Sequence, residues 1–354
     1  MKRLRRVFVS RRLPGRALER LARGPGLDVE IWPRRQAPSP RALARACRDA
    51  EGLLCLLSDR VDAALLAAAP RLRAISSYSV GLDHVDLAAA TARGIPVGHT
   101  PGVLTETTAE LALALLLAAA RRIPEADRCV REGRWAGSWD PSGLLGRDLQ
   151  GATLGVIGLG PIGRAVAARA RALGMRVLGW SRSGRRVPGV ARASLDELLA
   201  GSDFVSIHVA LAPETRRLLG AAELARMRPG AILVNTARGG IVDEEALARA
   251  LHQGRLGGAA LDVTEREPLP ATSPLLAAPN LILTPHIGSA TVATRARMAE
   301  LAVENLLAGL AGRRMPCCAN PELELRRGSG RGTRAERRPA RRGGARVPRA
   351  GDRR

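Results

Sequence analysis

The chain has 354 residues, of which 46% are hydrophobic and 25% charged, a globular composition with enough length for two domains. Its net charge of +23 would indicate a polyanion partner if it were spread over the fold, but residues 326–354 alone hold twelve arginines against two acids. The sequence offers no secretory signal, no apolar run that could span a bilayer and no C-x-x-C spacing, so we expect a cytoplasmic protein without a disulfide framework or a metal site.

Short apolar runs alternate with amphipathic segments over the first hundred residues. The runs that predict strands are RVFVS, GLLCLLS, RAISSYSVG and IPVGHT. A long helix follows in TTAELALALLLAAARR, where Thr107 is placed to cap the first turn and Glu110 to complete a capping box. Apolar residues cover nearly every side of this segment, which predicts a buried helix that ends before Pro124.

A second α/β series begins at Thr153. Its predicted strands are TLGVIGLG, MRVLGWS, DFVSIHV, AILVNTA, GGAALDV and LILTPHIG, and a last helix lies in TRARMAELAVENLLAGLAG. This alternation predicts an α/β fold with two doubly wound parallel-sheet domains of the Rossmann or flavodoxin type and an active-site cleft between them.

The order of these segments predicts the domain organisation. We assign residues 1–104 and 287–318 to a substrate-binding domain made from both ends of the chain, and residues 105–286 to a nucleotide-binding domain between them. Residues 319–354 are rich in Arg, Gly and Pro and have too few apolar side chains to bury, so we predict a disordered basic tail. Nucleic-acid binding by this tail is an alternative to a merely solvated extension.

A G-x-G-x-x-G motif lies between a predicted strand and a helix predicted over residues 164–173. Gly158 would permit the tight turn, Gly160 the close approach of a pyrophosphate, and Gly163 the packing of the helix on the strand. The anion would then lie at a helix N-terminus, where backbone amides favour it. The residues of this loop that we expect to bind a dinucleotide are Gly158, Gly160, Pro161, Ile162 and Gly163.

The second strand of this unit ends at Trp180, where an NAD site places an acidic residue on the ribose hydroxyls. Here the chain continues with Ser181, Arg182 and Ser183, and two further arginines follow. An arginine can bind a 2′-phosphate through charge-assisted hydrogen bonds, which serine hydroxyls would supplement. We therefore predict NADP(H) rather than NAD(H); the alternative is an exposed basic turn that tolerates either cofactor.

Three ionisable residues, Arg238, Glu267 and His286, follow successive predicted strands of the same unit. Ligands of open α/β sheets bind beyond the carboxyl ends of the strands, so all three residues can reach one cleft. An arginine can hold a carboxylate, a histidine can donate a proton to an oxygen as hydride arrives at carbon, and a carboxylate beside the histidine stabilises the imidazolium. The set predicts hydride transfer between a nicotinamide and a 2-oxo acid, although each residue alone also fits a structural role.

At these residues the sequence resembles the D-2-hydroxyacid dehydrogenases and, within that family, the glyoxylate reductases/hydroxypyruvate reductases of animals. The strings that carry the resemblance extend over residues 6–316 and are LLCLLSD, SVGLDHVDL, TETTAELALALLL, IGLGPIG, NTARGG, LDVTEREPLP, LTPHIGSAT, NLLAGL and MP. The resemblance implies NADPH-dependent reduction of glyoxylate to glycolate and of hydroxypyruvate to D-glycerate. It also implies that Arg238 binds the substrate carboxylate and that His286, paired with Glu267, is the acid/base.

The same resemblance implies further site residues. Those for the substrate are Val80, Gly81 and Ser289, and those for the cofactor are Thr107, Ala210, Thr236, Asp262, His286 and Gly288. Asp262 would hold the nicotinamide carboxamide. Trp139 resembles a tryptophan that reaches into the active site of the partner subunit, which implies a homodimer; simple dimer packing is the alternative for this residue.

The sequence departs from the family pattern in two places. Tyr78 precedes the loop that carries Val80 and Gly81, where we expect a smaller or aliphatic residue. The chain also continues for nearly forty residues after Met315-Pro316, where the family pattern ends.

Two other functions remain open at this point. One is a dinucleotide-sensing scaffold or corepressor on the same fold, for which the basic tail is the supporting feature. The other is a dehydrogenase of a different, for instance phosphorylated, 2-hydroxy acid. That substrate would need an extra cation near its tail, which the sequence does not place.

Overall fold

The first part of the chain forms a five-stranded parallel sheet in the computed structural model, which describes residues 4–323. Its strands are β1 (Arg5–Val9), β2 (Leu27–Ile31), β3 (Gly52–Cys55), β4 (Ala74–Ser77) and β5 (Val97–Gly98), in the order β2-β1-β3-β4-β5. The connecting helices are α1 (Ala17–Ala22), α2 (Pro40–Cys47), α3 (Ala63–Ala68) and α4 (Leu87–Ala92). The sequence predicts four of these strands but not β2, because its LDVEI alternates polar and apolar residues at the edge of the sheet.

A seven-stranded parallel sheet follows two helices, α5 (Thr105–Ala120) and α6 (Ile123–Arg131). Its strands are β6 (Thr153–Ile157), β7 (Arg176–Trp180), β8 (Ala191–Arg192), β9 (Phe204–Ile207), β10 (Ile232–Asn235), β11 (Gly258–Leu261) and β12 (Leu281–Leu283). Its helices are α7 (Pro161–Ala172), α8 (Leu195–Gly201), α9 (Ala221–Arg226) and α10 (Glu244–His252). Only the short edge strand β8 is missing from the sequence prediction.

The strand orders identify both sheets as doubly wound. The second sheet runs β12-β11-β10-β9-β6-β7-β8, the Rossmann order, and the first has the flavodoxin order. The predicted fold class is therefore confirmed. In the second sheet the chain first adds β7 and β8 on one side of β6 and then adds β9 to β12 on the other side. The crevice beyond the carboxyl ends of β6 and β9 is therefore the expected ligand position.

Helix α5 is buried as predicted, but the prediction for its N-terminus is wrong. The helix begins at Thr105, and Leu104 occupies the N-cap position without any side-chain cap. Thr107 therefore lies inside the first turn, where its hydroxyl oxygen is 2.7 Å from that of Thr294. The helix packs against β10 and β11 of the second sheet and against α7, which connects two strands of that sheet. Helix α7 also begins earlier than predicted, at Pro161, because proline suits the first helical position.

The last helix, α11 (Val292–Leu310), returns to the first sheet and packs against β3, β4, β5 and α1. Its buried side chains complete the core on one face of that sheet, and they include Met298, Ala302, Val303, Leu306 and Leu310. Aromatic residues make up only 2% of the chain, so the cores of both sheets consist mainly of Leu, Val, Ile and Ala. Within residues 4–323, no helix combines the length and the apolar character needed to cross a bilayer.

The chain stays part of the fold for a few residues after the predicted start of the tail. Asn320 is 1% exposed, and its side chain accepts a bond from the Val97 amide at 2.9 Å and donates to the Ile95 carbonyl at 2.9 Å. Residues 319–323 thus belong with the first sheet rather than with a disordered tail. Residues 324–354, the rest of that prediction and the proposed nucleic-acid site, lie outside the described residues.

Candidate active site

A cavity of about 400 Å³ lies between the two sheets, beyond the carboxyl ends of their strands. The first sheet lines it with the segments after β3 and β4, and the second with segments after β6, β9, β10, β11 and β12. The predicted site residues that line this cavity are Val80, Gly81, Gly160, Pro161, Ile162, Ala210, Thr236, Arg238, Asp262, His286, Gly288 and Ser289. The predicted residues that do not line it are Thr107, Trp139, Gly158, Gly163, Ser181, Arg182, Ser183 and Glu267.

The glycine loop has the backbone that its sequence predicts. Gly158 adopts φ 101°, in the left-handed region, and any side chain there would collide with the backbone of His208. A Cβ at Gly163 would collide with the Gly158 carbonyl, so α7 packs directly on the loop. A Cβ at Gly160 would meet nothing within 4 Å, which leaves open space in front of the N-terminus of α7. An anionic pyrophosphate requires such a surface.

The turn after β7 lies beside the glycine loop, since β6 and β7 are neighbouring strands. The Arg185 amide donates to the Ser181 hydroxyl at 3.2 Å, which closes this turn. Arg182 forms an ion pair with Glu214, and both side chains are about half exposed. A carboxylate from another segment therefore contacts the arginine that we expect to bind a phosphate.

His286 and Glu267 form a hydrogen-bonded pair in which Nδ1 lies 2.7 Å from Oε2. Their side chains are 25% and 33% exposed. Since Nδ1 is engaged by the carboxylate, Nε2 is the ring nitrogen left for a ligand in the cavity. The backbone of His286 has φ 55°, which costs roughly 1–3 kcal/mol for a residue other than glycine.

Asp262 supports this strained turn. Its Oδ1 accepts hydrogen bonds from the Thr284 hydroxyl at 2.6 Å and the Ile287 amide at 2.8 Å, and its Oδ2 accepts one from the Gly288 amide at 2.7 Å. The Asp262 side chain is buried, and its backbone carbonyl also accepts from the His286 amide at 2.9 Å. One carboxylate therefore fixes the position of the catalytic candidate.

Arg238 is held by protein acceptors on two sides. Its Nε donates to the Asp83 carboxylate at 3.0 Å, and its Nη1 donates to the Ala237 carbonyl at 2.7 Å. A Cβ at Gly81 would collide with the guanidinium, so any side chain there would displace Arg238 from its position. Burial alone would raise the pKa of the Asp83 carboxyl, but the charge and hydrogen bond of Arg238 outweigh it and hold this pKa below its usual range.

The loop after β4 presents backbone donors without acceptors. The Ser79 hydroxyl donates to the Gly81 carbonyl at 2.7 Å and His99 Nδ1 to the Val80 carbonyl at 3.0 Å, which fixes the loop. No acceptor within residues 4–323 takes the amide hydrogens of Val80 or Gly81. The buried Thr236 hydroxyl also lacks a partner among these residues. Unpaired buried donors are costly, so a ligand that supplies acceptors here is favoured.

Burial lowers the pKa of two other histidines near the cavity, His208 and His84. His208 lines the cavity, is hydrogen-bonded to the Ser206 hydroxyl at 2.8 Å, and has its pKa lowered to about 4 by burial. Burial also lowers the pKa of His84, against the opposing charges of Asp83 and Asp59. None of His84, His99 and His208 forms an ion pair with a carboxylate in the described part of the chain, which leaves His286 as the candidate proton donor.

Sequence reasoning missed three charged residues of this region: Asp83, Glu214 and Arg295. Asp83 stands in the string SVGLDHVDL beside Gly81, so a loop charge next to the predicted amides was the available signal. Arg295 reaches the cavity from the first turn of α11. Nothing in its sequence surroundings distinguishes it from the other arginines of that helix.

Hydride transfer needs a bound nicotinamide, a group that orients the carbonyl and a proton donor. The cavity offers a place for each, at the strand ends where doubly wound sheets bind dinucleotides. The fold and the cavity thus define an α/β oxidoreductase of the nucleotide-dependent kind.

Comparison with known proteins narrows this class to one family. The family profile described as "D-isomer specific 2-hydroxyacid dehydrogenase, NAD binding domain" matches residues 113–288. A glyoxylate reductase of Korarchaeum cryptofilum is 47% identical over 322 residues, which cover 90% of this chain and 96% of the relative. The human glyoxylate reductase/hydroxypyruvate reductase is 44% identical over 320 residues, with 89% and 97% covered. The chain therefore belongs to the D-2-hydroxyacid dehydrogenase family.

Solved structures agree with this assignment. A Thermus thermophilus protein is 54% identical, has a TM-score of 0.84 and is matched over 89% of this chain and 99% of its own. The NADPH-dependent glyoxylate/hydroxypyruvate reductase of Sinorhizobium meliloti, solved with NADP and malonate, is 33% identical with a TM-score of 0.79 and coverages of 89% and 96%. The chain is thus an oxidoreductase whose relatives reduce 2-oxo acids.

Proposed function

We propose that this protein reduces glyoxylate to glycolate and hydroxypyruvate to D-glycerate, with NADPH as the reductant. The observation that carries the proposal is the His286–Glu267 pair, which meets Arg238 and the glycine loop at one cavity. The human relative is named for both of these substrates, and the Sinorhizobium meliloti relative is described as NADPH-dependent.

The chemistry follows from the positions of the side chains. The free Nη2 of Arg238 and the amides of Val80 and Gly81 bind the substrate carboxylate, which orients the neighbouring carbonyl. A bound reduced nicotinamide supplies a hydride to the carbonyl carbon. As the C=O π bond breaks, the carbonyl oxygen takes the proton from His286 Nε2. Glu267 stabilises the imidazolium before the transfer, and in the reverse direction the neutral imidazole accepts the proton from the hydroxyl.

The cavity residues fit the cofactor that this reaction requires. The open space at Gly160 and the N-terminus of α7 suit the pyrophosphate, and the unpartnered Thr236 hydroxyl offers a hydrogen bond farther along the cleft. The residues that we propose hold the dinucleotide are Thr107, Gly158, Gly160, Pro161, Ile162, Gly163, Ser181, Arg182, Ser183, Ala210, Thr236, Asp262, His286 and Gly288. Asp262 would do so while it braces the turn at His286.

The preference for NADPH rests on Arg182 and its serine neighbours. A 2′-phosphate offers this arginine a doubly charged acceptor in place of the single carboxylate of Glu214. Because both side chains of that ion pair are half exposed, their attraction is weak, about 0–1 kcal/mol, and a phosphate can displace the carboxylate. The alternative is an exposed turn that accepts NADH equally well.

We also propose a homodimer. Helix α6 has no buried residue, and large apolar side chains are exposed on it and on the loop that follows. These side chains are Ile123, Val130, Trp135, Trp139 and Leu145, with exposed fractions of 53% to 81%. Exposed apolar residues grouped in this way mark an interaction surface. Light scattering during size-exclusion chromatography measures the mass in solution, and a single-chain mass would refute this part of the proposal.

The deciding experiment follows the loss of NADPH and NADH absorbance with hydroxypyruvate. We expect rapid oxidation of NADPH and slower oxidation of NADH. His286→Ala should remove nearly all turnover but leave NADPH binding intact, whereas His252→Ala, at an exposed histidine on α10, should not change either. Full turnover by His286→Ala would refute the acid/base role, and faster oxidation of NADH would refute the cofactor preference alone.

A further inference from the structure

The cavity contains a second arginine that the proposed chemistry does not use. Arg295 lies in the first turn of α11, is partly buried and lines the same cavity as Arg238. Arg238 is paired with the Asp83 carboxylate at 3.0 Å. No carboxylate of residues 4–323 lies within 4.0 Å of the Arg295 guanidinium, which leaves its charge available to a ligand.

Tyr78 holds Arg295 against the cavity wall. The phenol is 3% exposed and donates a hydrogen bond to the backbone carbonyl of Arg295 at 2.8 Å. The guanidinium carbon lies 6.0 Å from the centre of the Tyr78 ring, a weak cation–π contact. Burial raises the pKa of Tyr78, so the hydroxyl remains a donor at neutral pH. Tyr78 thus contacts both the backbone and the guanidinium of this arginine.

The cavity that Arg295 lines also has an apolar part. The nearby wall formed by the first sheet and α11 carries Leu56, Leu57, Leu104 and Met298. Tyr78 directly precedes the loop whose free amides we assign to the substrate carboxylate. A substrate bound at that loop therefore extends its remaining carbons along a wall with one cationic group. An alkyl tail would cover the guanidinium without giving it an acceptor, whereas a tail with an oxygen would satisfy it.

We propose that Arg295 is a specificity-determining residue that binds the substituent on C3 of the substrate and selects 2-oxo acids whose tail carries an oxygen acceptor. The inference rests on the proposed function. The enzyme should prefer a substrate whose tail carries a hydroxyl or a carboxylate to one with an alkyl tail of the same size. Tyr78 is the residue that positions the arginine.

The test compares two substrates of nearly equal size. Hydroxypyruvate ends in CH₂OH and 2-oxobutyrate in CH₂CH₃, so the ratio of their kcat/KM values isolates the tail oxygen. We expect Arg295→Leu to lower this ratio about 10- to 100-fold, the effect of removing one charge-assisted hydrogen bond. Most of the loss should be in KM for hydroxypyruvate, and the loss on glyoxylate, which has no tail, should be several-fold smaller.

Two variants serve as controls. Arg295→Lys keeps a cation and should restore most of the preference for hydroxypyruvate. Arg297→Leu removes a neighbouring arginine of the same helix that is exposed and bonded to Glu300 at 3.1 Å, and it should leave the ratio unchanged. An unchanged ratio in Arg295→Leu, or an equal loss on all three acids, overturns the inference.

A binding measurement separates this inference from the proposed function. If the unmodified protein turns over none of the three acids, the proposed function has failed. Isothermal titration with tartronate and with oxalate, in the presence of NADP⁺, then tests the subsite directly. Weaker binding of tartronate relative to oxalate in Arg295→Leu supports the subsite, and equal changes for both acids overturn it.

Discussion

Replacement of Glu267 by glutamine tests the central pair of the site. The substitution keeps the size of the side chain and leaves an amide oxygen that can accept from His286 Nδ1, but it removes the negative charge 2.7 Å away. Only the charged form of the histidine loses stabilisation. The expected consequence is slower proton donation to the carbonyl oxygen, with cofactor binding unaffected.

The magnitude follows from the geometry of the pair. Two unit charges 2.7 Å apart attract by about 1.5 kcal/mol at the dielectric constant of water and by about 6 kcal/mol at an effective value of 20. Both side chains are a quarter to a third exposed, so solvent screens much of the larger figure. A net loss of about 2–3 kcal/mol corresponds to a fall in kcat/KM of about 30- to 150-fold.

The assay is steady-state NADPH oxidation with hydroxypyruvate, together with a fluorescence titration of NADPH binding. Glu265→Gln is the matched control, because Glu265 lies two residues away and its carboxylate is paired with Arg217, at 3.9 Å, and not with His286. We expect Glu265→Gln to have the kinetics of the unmodified protein. A Glu267→Gln enzyme that retains more than a third of the normal kcat/KM would refute the reasoning, as would an equal loss in both variants.

Three further predictions concern neighbouring groups. Gly81→Ala places a methyl group against the Arg238 guanidinium, so KM for hydroxypyruvate should rise about 10- to 100-fold in the same assay. Glu214→Gln frees Arg182 from its carboxylate, so the ratio of kcat/KM with NADPH to that with NADH should rise about two- to fivefold. Burial raises the pKa of Cys47 to about 12, so a thiol reagent at pH 8 should modify it only after denaturation.

Hydrophobic patterning alone accounts for most of the fold. The strands that it misses are β2 and β8, which lie at the edges of their sheets. An edge strand has one exposed side, so it lacks the continuous apolar run that marks a central strand of a parallel sheet. The predicted start of α5 was wrong because Thr107, which looked like a cap, instead bonds the distant Thr294 hydroxyl, whereas the start of α7 at Pro161 follows a local rule that the prediction did not apply.

The residues of the candidate site likewise fall into those that the sequence predicts and those that it does not. Strand-end reasoning predicted Arg238, Glu267 and His286, because each follows a strand of one sheet. It could not predict Asp83 or Arg295, since these face the site from the other sheet and from α11, across a cleft whose geometry depends on how the two sheets meet. Sequence separates Asp83 from Arg238 by 155 positions, and no local pattern links them.

The two cavity arginines, Arg238 and Arg295, are held differently, which fits different roles in substrate binding. Arg238 has Nε bonded to Asp83 and Nη1 bonded to Ala237, so its guanidinium is fixed before a ligand arrives, and Nη2 has no acceptor among residues 4–323. Fixing the side chain in advance reduces the entropy lost on binding, which favours a group that every 2-oxo acid must use. Arg295 has no such ion pair within residues 4–323 and is anchored through its backbone by Tyr78. The Arg295 guanidinium lacks the ion pair that fixes Arg238, so it can adjust to the tail of the substrate, while the carboxylate end of each substrate stays in one place.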